Sequence, residues 1–147
     1  SFGHGLSYSS FVYESLEIDT DKLTKDSEIN VKITLRNDSD RKGKEVVQLY
    51  MRDLVASTVR PIQKLIAYEK ITLDAGETKT VKVKIHTEQF GYYTNDGVRQ
   101  WNIAPGTFEV KIGASSADIR LYDKVTLTDK HVVKPLRDHY FSEVTVK

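Results

Sequence analysis

Carboxylates are the first residues to weigh for chemistry, because two of them held across a bond at a set separation can hydrolyse a glycoside. The chain has 21 acidic residues, but most of them punctuate turns or lie on the wet faces of predicted strands. Asp38, Asp40, Asp74 and Asp96 fall in turn sequences, and Glu109 alternates with apolar neighbours. No spacing brings two of them together, so we predict no catalytic residue in this chain.

Metal and cofactor sites are not predicted either. The four histidines are far apart and lack the spacing of zinc ligands. The segment 38–49 begins like a calcium loop, but Lys42 occupies a ligand position and Leu49 stands where a bidentate glutamate is required. Gly3-His4-Gly5 lacks the third glycine of a dinucleotide loop.

Three aromatic residues flank one predicted hairpin and form the candidate for weak carbohydrate contact. Tyr92, Tyr93 and Trp101 lie on either side of the turn signal Asn95-Asp96-Gly97. Aromatic rings stack on sugar faces while their polar edges stay hydrated. The competing interpretation, which we favour, makes the single tryptophan a core anchor.

The elements that must position these residues are strands, because the dominant period is two. Apolar and polar residues alternate over 29–36, 81–85 and 108–112. Turn sequences separate the runs, including Asp74-Ala75-Gly76-Glu77. Strict alternation is typical of antiparallel sheets. We therefore predict an all-β, antiparallel two-sheet β-sandwich of the fibronectin type III-like (immunoglobulin-like) class.

Two runs break the alternation and are apolar on both faces. They cover 46–51 and, less cleanly, 65–68. A sandwich strand needs one dry face, so a second one implies a cover, either from another part of this chain, such as its tail or its loops, or from a neighbouring domain.

Bulk composition narrows the partners. The 147 residues carry 22 basic and 21 acidic side chains, interspersed along the chain, for a net charge of +1. This pattern argues against nucleic acid and anionic membrane as partners. Cysteine is absent, which excludes a disulfide framework but leaves the compartment open.

The predicted organisation has three parts. Residues 1–10 read as a linker from a preceding domain, 11–128 as the sandwich, and 129–147 as a tail, in the form of a short helix or a linker.

Three blocks carry a resemblance to a known family: SFGHGLSYSSF at the start, KEVVQLYMRDLVASTVRPIQKLIAYEKITLDAGETKTVKVKI from Lys44, and GVRQWNIAPGTFEVKIGASSADIRL from Gly97. Together they closely resemble the fibronectin type III-like domain of glycoside hydrolase family 3, the β-glucosidase and β-xylosidase family. Departures from the usual pattern include His4 and Leu54.

The resemblance implies a parent enzyme that hydrolyses β-linked glycosides with retention, through catalytic residues in other domains. It implies that this chain is a non-catalytic accessory domain whose partners are those other domains, with a carbohydrate-binding module as the alternative. We expect docking residues on the doubly apolar strand and the following loop: Val46, Gln48, Tyr50, Leu54 and Arg60.

Overall fold

A computed structural model describes residues 11–24, 27–54, 63–95, 99–103, 105–128, 132–134 and 142–147. Almost all of these residues lie in strands, and the one short helix is a 3-10 turn at Thr87–Phe90. The strands are β1 (Phe11–Ile18), β2 (Lys22–Leu23), β3 (Glu28–Asn37), β4 (Gly43–Asp53), β5 (Gln63–Leu73), β6 (Thr78–His86), β7 (Tyr92–Asn95), β8 (Arg99–Ile103), β9 (Gly106–Ser115), β10 (Asp118–Leu127), β11 (Val132–Lys134) and β12 (Glu143–Val146).

Two sheets form the sandwich, which confirms the predicted fold class. A four-stranded sheet has the order β1-β3-β6-β12, and a five-stranded sheet has the order β2-β10-β9-β4-β5. Pairing is antiparallel except between β2 and β10. A smaller sheet, in the order β11-β8-β7, contains the hairpin predicted around Asn95-Asp96-Gly97.

The core fills the space between the two sheets because each strand turns alternate residues inward. Phe90 and Phe108 meet there with ring centroids 5.2 Å apart. Inward-facing residues of four central strands, β3, β6, β4 and β9, are fully or almost fully buried: Val31, Ile33, Leu35, Val81, Val83, Ile85, Val47, Leu49, Met51, Phe108, Val110 and Ile112.

Local turn chemistry follows the sequence. Gly76 has a φ of 72°, in the left-handed region that a side chain disfavours. Its amide bonds to the carbonyl of Asn37, which joins the β5–β6 turn to the end of β3. The buried side-chain amide of Asn37 donates hydrogen bonds to the backbone carbonyls of Arg41 and Leu73.

The tail, predicted as a short helix or a linker, contains two strands among its described residues, while residues 135–141, where the helix was expected to begin, lie outside the described residues. Of the two strands, β12 extends the four-stranded sheet with Val144 opposite Val83 and Val146 opposite Val81. Lys147 and Thr80 exchange backbone hydrogen bonds of 2.8 and 2.9 Å. The alternation of Glu143, Val144, Thr145 and Val146 spans only four residues, too short a run to be distinguished from a linker. The predicted domain boundaries themselves stay a prediction, and residues 1–10 lie outside the described residues.

Candidate docking face

The outward face of β4 and β5 carries an exposed apolar group of side chains. Since Val47, Leu49 and Met51 point into the core, their neighbours Val46, Gln48 and Tyr50 point away from it. Antiparallel register places Tyr68 opposite Gln48 and Leu65 opposite Tyr50.

Three of these side chains are strongly exposed. Val46 is 37% exposed, Leu65 49% and Tyr68 66%. Tyr50 is partly covered and its hydroxyl donates to the side-chain oxygen of Gln48, whose amide reaches the carbonyl of Ala114. We call Val46, Tyr50, Leu65 and Tyr68 the apolar patch.

A bulge keeps both strands apolar on the outward side. The β4–β5 register shifts between Leu49 and Tyr50, which leaves Ile66 as the extra residue. Ile66 packs against the core, while Leu65 and Tyr68 both remain outward. The bulge therefore explains why 65–68 departs from simple alternation.

Basic side chains surround the apolar patch. Lys70 of β5 lies opposite Val46 of β4. On β4 itself, Lys44 lies two residues before Val46 and Arg52 lies two residues after Tyr50, all on the outward side. None of the three forms an ion pair with any described residue. We call Lys44, Arg52 and Lys70 the basic rim.

The neighbouring strand β9 carries one outward cation and one outward anion, which pair with each other. Lys111 of β9, opposite Tyr50, lies 3.7 Å from Glu109 and donates to Gln63 at 3.1 Å. Tyr122 of β10, opposite Lys111, is 64% exposed, and it lies beyond this ion pair from the apolar patch.

The remaining predicted docking residues divide into two cases. Leu54 is 38% exposed at the end of β4, where its amide bonds to the carbonyl of Thr107. Arg60 lies outside the described residues. Sequence reasoning recognised the apolar run over 65–68 but did not place Leu65 or Tyr68 in the site, because their positions relative to Tyr50 depend on the bulge.

The predicted sugar-stacking residues are placed only by backbone. Tyr93 pairs with Trp101, and Tyr92 pairs with Asn102, across the β7–β8 hairpin. Their side chains lie outside the described part of the structure, so the carbohydrate contact stays a prediction.

The outward face of the four-stranded sheet offers a different surface. Its strands present lysine, threonine, arginine and glutamate, with ion pairs that link Lys32 to Glu17 at 4.0 Å and Lys84 to Glu143 at 3.8 Å. Arg36 pairs with Glu14 at 3.6 Å. Of the large hydrophobic side chains that the structure describes as exposed, none lies on this sheet.

A buried hydrogen bond between two side chains joins the two sheets. The Tyr13 hydroxyl of β1 donates to Oε2 of Glu45 of β4 at 2.5 Å, and the Arg120 guanidinium lies 5.3 Å from the Tyr13 ring centroid. Burial, followed by the hydrogen bond to Glu45, raises the pKa of Tyr13 well above its usual value. Arg120 also binds Asp118, with 2.7 Å between Nε and Oδ1.

Within the described ranges, no group of three histidine or acidic side chains is arranged to hold a metal ion. Nor does any helix there have the length and apolar character needed to cross a membrane.

Comparison with known proteins gives the family. A family model described as the fibronectin type III-like domain matches residues 45–116. Thermostable β-glucosidase B of Acetivibrio thermocellus is 40% identical over 124 residues, which is 84% of this chain and 16% of that protein. A putative β-xylosidase of Formosa agariphila is 41% identical over 120 residues, or 81% of this chain and 16% of that protein.

Solved structures agree in fold. A β-glucosidase from Erythrobacter marinus superposes with a TM-score of 0.75 at 35% identity, covering 86% of this chain and 16% of its own. The chain therefore spans about 16% of the length of these relatives. As the sequence blocks predict, this chain belongs to the fibronectin type III-like domains of glycoside hydrolase family 3.

Proposed function

We propose that this chain is a non-catalytic accessory domain that docks through its apolar patch on the other domains of a family 3 glycoside hydrolase and stabilises them. The observation that carries the proposal is the exposure of Val46, Leu65 and Tyr68 together on one outward face, beside the half-covered Tyr50. Apolar side chains that cluster on the surface, with polar residues around them, are typical of protein contact sites. The other outward face has no such cluster among its described residues.

The distribution of buried carboxylates argues against catalysis by this chain alone. Of the described carboxylate side chains, Glu45 and Glu88 are the buried ones. Glu45 lies near the start of β4, at the end of the sandwich where Asn37 and the β5–β6 turn meet, and Glu88 follows the opposite end of β6. At a rise of about 3.3 Å per strand residue, the two lie roughly 20 Å apart. Paired carboxylates of glycosidases are separated by about 5–10 Å, so these two do not fit that role.

The size of the relatives supports a partner within the same polypeptide. Each of the two curated relatives is about five times as long as this chain, since the 124 and 120 aligned residues make up 16% of their lengths. Those proteins are named for β-glucosidase and β-xylosidase activity. We propose the hydrolysis of β-linked glycosides as the activity of the parent enzyme, carried by its other domains.

The apolar patch has the character of an interface centre. Interfaces between domains of one chain bury about 600–1,500 Å². A few buried aromatic residues near the centre of an interface usually dominate its energy. Tyr68, the most exposed member of the patch, is the residue we expect to lose the most solvent contact on docking.

The test compares two substitutions in the full-length enzyme that contains this domain. Tyr68→Glu places a carboxylate in the apolar patch, and Thr145→Glu places one at an exposed position on the four-stranded sheet. Because a charge in a buried contact lacks its hydration, we expect Tyr68→Glu to lower the Tm by about 3 °C or more and Thr145→Glu to leave it unchanged.

The isolated 147-residue chain supplies the control. Both positions are exposed there, so both variants should melt close to the unsubstituted chain. Equal melting temperatures for all three forms of the full-length enzyme would exclude docking through the apolar patch.

A further inference from the structure

The three cations around the apolar patch have no ion-pair partner in the part of the chain that the structure describes. Lys44 and Lys70 are exposed and Arg52 is half-buried. Among the described residues, the acidic side chain on the same outward face is Glu109, which lies opposite Arg52 in the register but forms its ion pair with Lys111, at 3.7 Å. Glu69 lies between Tyr68 and Lys70 but alternation turns it toward the sandwich interior.

The opposite outward face handles its cations differently. Lys32, Arg36 and Lys84 each lie within 4.0 Å of a glutamate on a neighbouring strand. Lys82 and Lys147 are the exceptions, since neither forms an ion pair with a described residue. The four-stranded face therefore pairs three of its five cations, whereas Lys44, Arg52 and Lys70 on the docking face all lack an ion pair with the described residues.

We propose that the surface which receives the apolar patch is apolar at its centre and acidic at its rim, and that its carboxylates pair with Lys44, Arg52 and Lys70. This inference rests on the proposed docking function and names the chemistry of the partner, which is the remaining part of the parent enzyme. Complementary charges at the rim of an interface fix its orientation and suppress wrong partners.

The same charges argue against a second copy of this chain as the occupant. A two-fold symmetric contact would place the apolar patch of each copy against that of the other. The basic rim would then face a second basic rim, and like charges brought together in this way oppose association. A neutral glycan could cover the apolar patch but would leave the three cations without counter-charges, so the charges argue against a sugar ligand as well.

The experiment reverses charge on each face by the same amount. In the full-length enzyme, Lys44→Glu/Lys70→Glu alters the basic rim, and Lys82→Glu/Lys147→Glu alters two exposed lysines of the four-stranded sheet. We expect the rim variant to lower the Tm by about 3 °C or more at about 50 mM NaCl, with less than half of that loss at about 500 mM NaCl. The control variant should stay within about 1 °C at both concentrations.

The outcomes separate the two proposals. If the rim variant melts like its control while Tyr68→Glu still lowers the Tm, the acidic partner is wrong and docking stands. If neither the rim variant nor Tyr68→Glu lowers the Tm, both proposals fail. An equal loss in the isolated chain also contradicts the inference, because the lysines would then act within this domain.

Sedimentation of the isolated chain tests the remaining occupant. A monomer at all concentrations agrees with the inference. A concentration-dependent dimer that Tyr68→Glu abolishes would assign the apolar patch to a second copy and overturn it.

Discussion

The two outward faces of this sandwich are built by the same alternation and end with opposite characters. On the four-stranded sheet, the outward halves of β3 and β6 are lysine, threonine and arginine, and most of the cations are matched by glutamates on neighbouring strands. On the five-stranded sheet, β4 and β5 turn valine, leucine and tyrosine outward and leave their cations unmatched. The inward halves of both sheets contribute to one hydrophobic core. The difference between the two outward faces is therefore not required for folding, and we attribute it to what each face contacts.

The lesson is that a strand's outward residues carry information that its inward residues cannot. Any sandwich needs a dry interior, so Val47 or Val83 would be apolar in any setting. Val46 and Tyr68 are not needed for that interior, and their retention on the surface calls for another explanation. Docking supplies one, and the following changes break or sharpen this comparison.

Removal of β12 should have the largest effect, because it takes an edge strand from the polar-faced sheet. Deleting residues 142–147 removes the half-buried Val144 and Val146 and the hydrogen bonds to β6. We expect the free energy of unfolding to fall by about 2–4 kcal/mol in urea denaturation. The double variant Glu143→Ala/Thr145→Ala, which changes only outward side chains of the same strand, should cost less than about 0.5 kcal/mol. A deletion no more costly than this variant would mean that the tail is not part of the sandwich.

Gly113→Ala probes the other sheet at its tightest point. The register of β9 and β10 shifts here, and a β-carbon on Gly113 would lie 2.1 Å from the carbonyl oxygen of Asp118. Because the atoms that this β-carbon would meet, in Asp118 and Ile119, are all backbone, the two strands must move apart, at a cost of about 1–3 kcal/mol. Gly76→Ala, which strains a turn without any close contact, should cost about 1–2 kcal/mol and serves as the comparison. Thermal unfolding of Gly113→Ala at the unsubstituted Tm would rule out this tight approach.

Tyr13→Phe tests the bridge that ties the two sheets together. At neutral pH it leaves the buried Glu45 carboxylate without its donor, which should cost about 1–2 kcal/mol. The folded-state pKa of Tyr13 is raised, so its contribution is complete below the unfolded tyrosine pKa of about 10 and is lost as the pH rises above that value.

Urea unfolding at neutral and alkaline pH tests whether the stabilisation by the Tyr13 hydroxyl decreases as the pH rises. The difference in stability between the unsubstituted chain and Tyr13→Phe should narrow above pH of about 10. Tyr122→Phe removes a hydroxyl from an exposed ring and should show no such narrowing. A difference that stays constant with pH would show that the hydroxyl does not stay protonated in the folded chain.

Lys82→Glu should have the smallest effect, within about 0.5 kcal/mol, because it acts on the solvated face. Lys82 lies directly opposite Lys32, and like charges in that position repel. The expected sign is therefore a slight stabilisation, measured by thermal unfolding at low ionic strength. A clear loss of stability would imply that this face, too, makes a specific contact.

The sequence predicts most of the sandwich because its strands are long and regular. Alternation over β3, β6 and β9 identifies both sheets, and Gly76 sits in the turn where its residue type is required. The strand in the tail was harder to predict, because the alternating pattern of β12 spans only four residues and its partner β6 lies about 60 residues earlier in the chain.

The site was partly readable for a different reason. A run that is apolar on both faces indicates a strand whose outward side chains need a cover, and this pattern pointed to Val46 and Tyr50. The position of Leu65 beside Tyr50 depends on a bulge, and a one-residue shift in register is not visible in composition. The absence of partners around Lys44 and Lys70 depends on which strands are neighbours, which only the sheet order reveals.

Hydroxyl-radical footprinting of two tyrosines tests the docking claim most directly. Tyr68 and Tyr122 lie on the same sheet and are almost equally exposed in this chain, at 66% and 64%. In the full-length enzyme, we predict that the oxidation rate of Tyr68 falls several-fold relative to the isolated chain while that of Tyr122 is retained. Equal rates for the two rings in the full-length enzyme would contradict docking through the apolar patch.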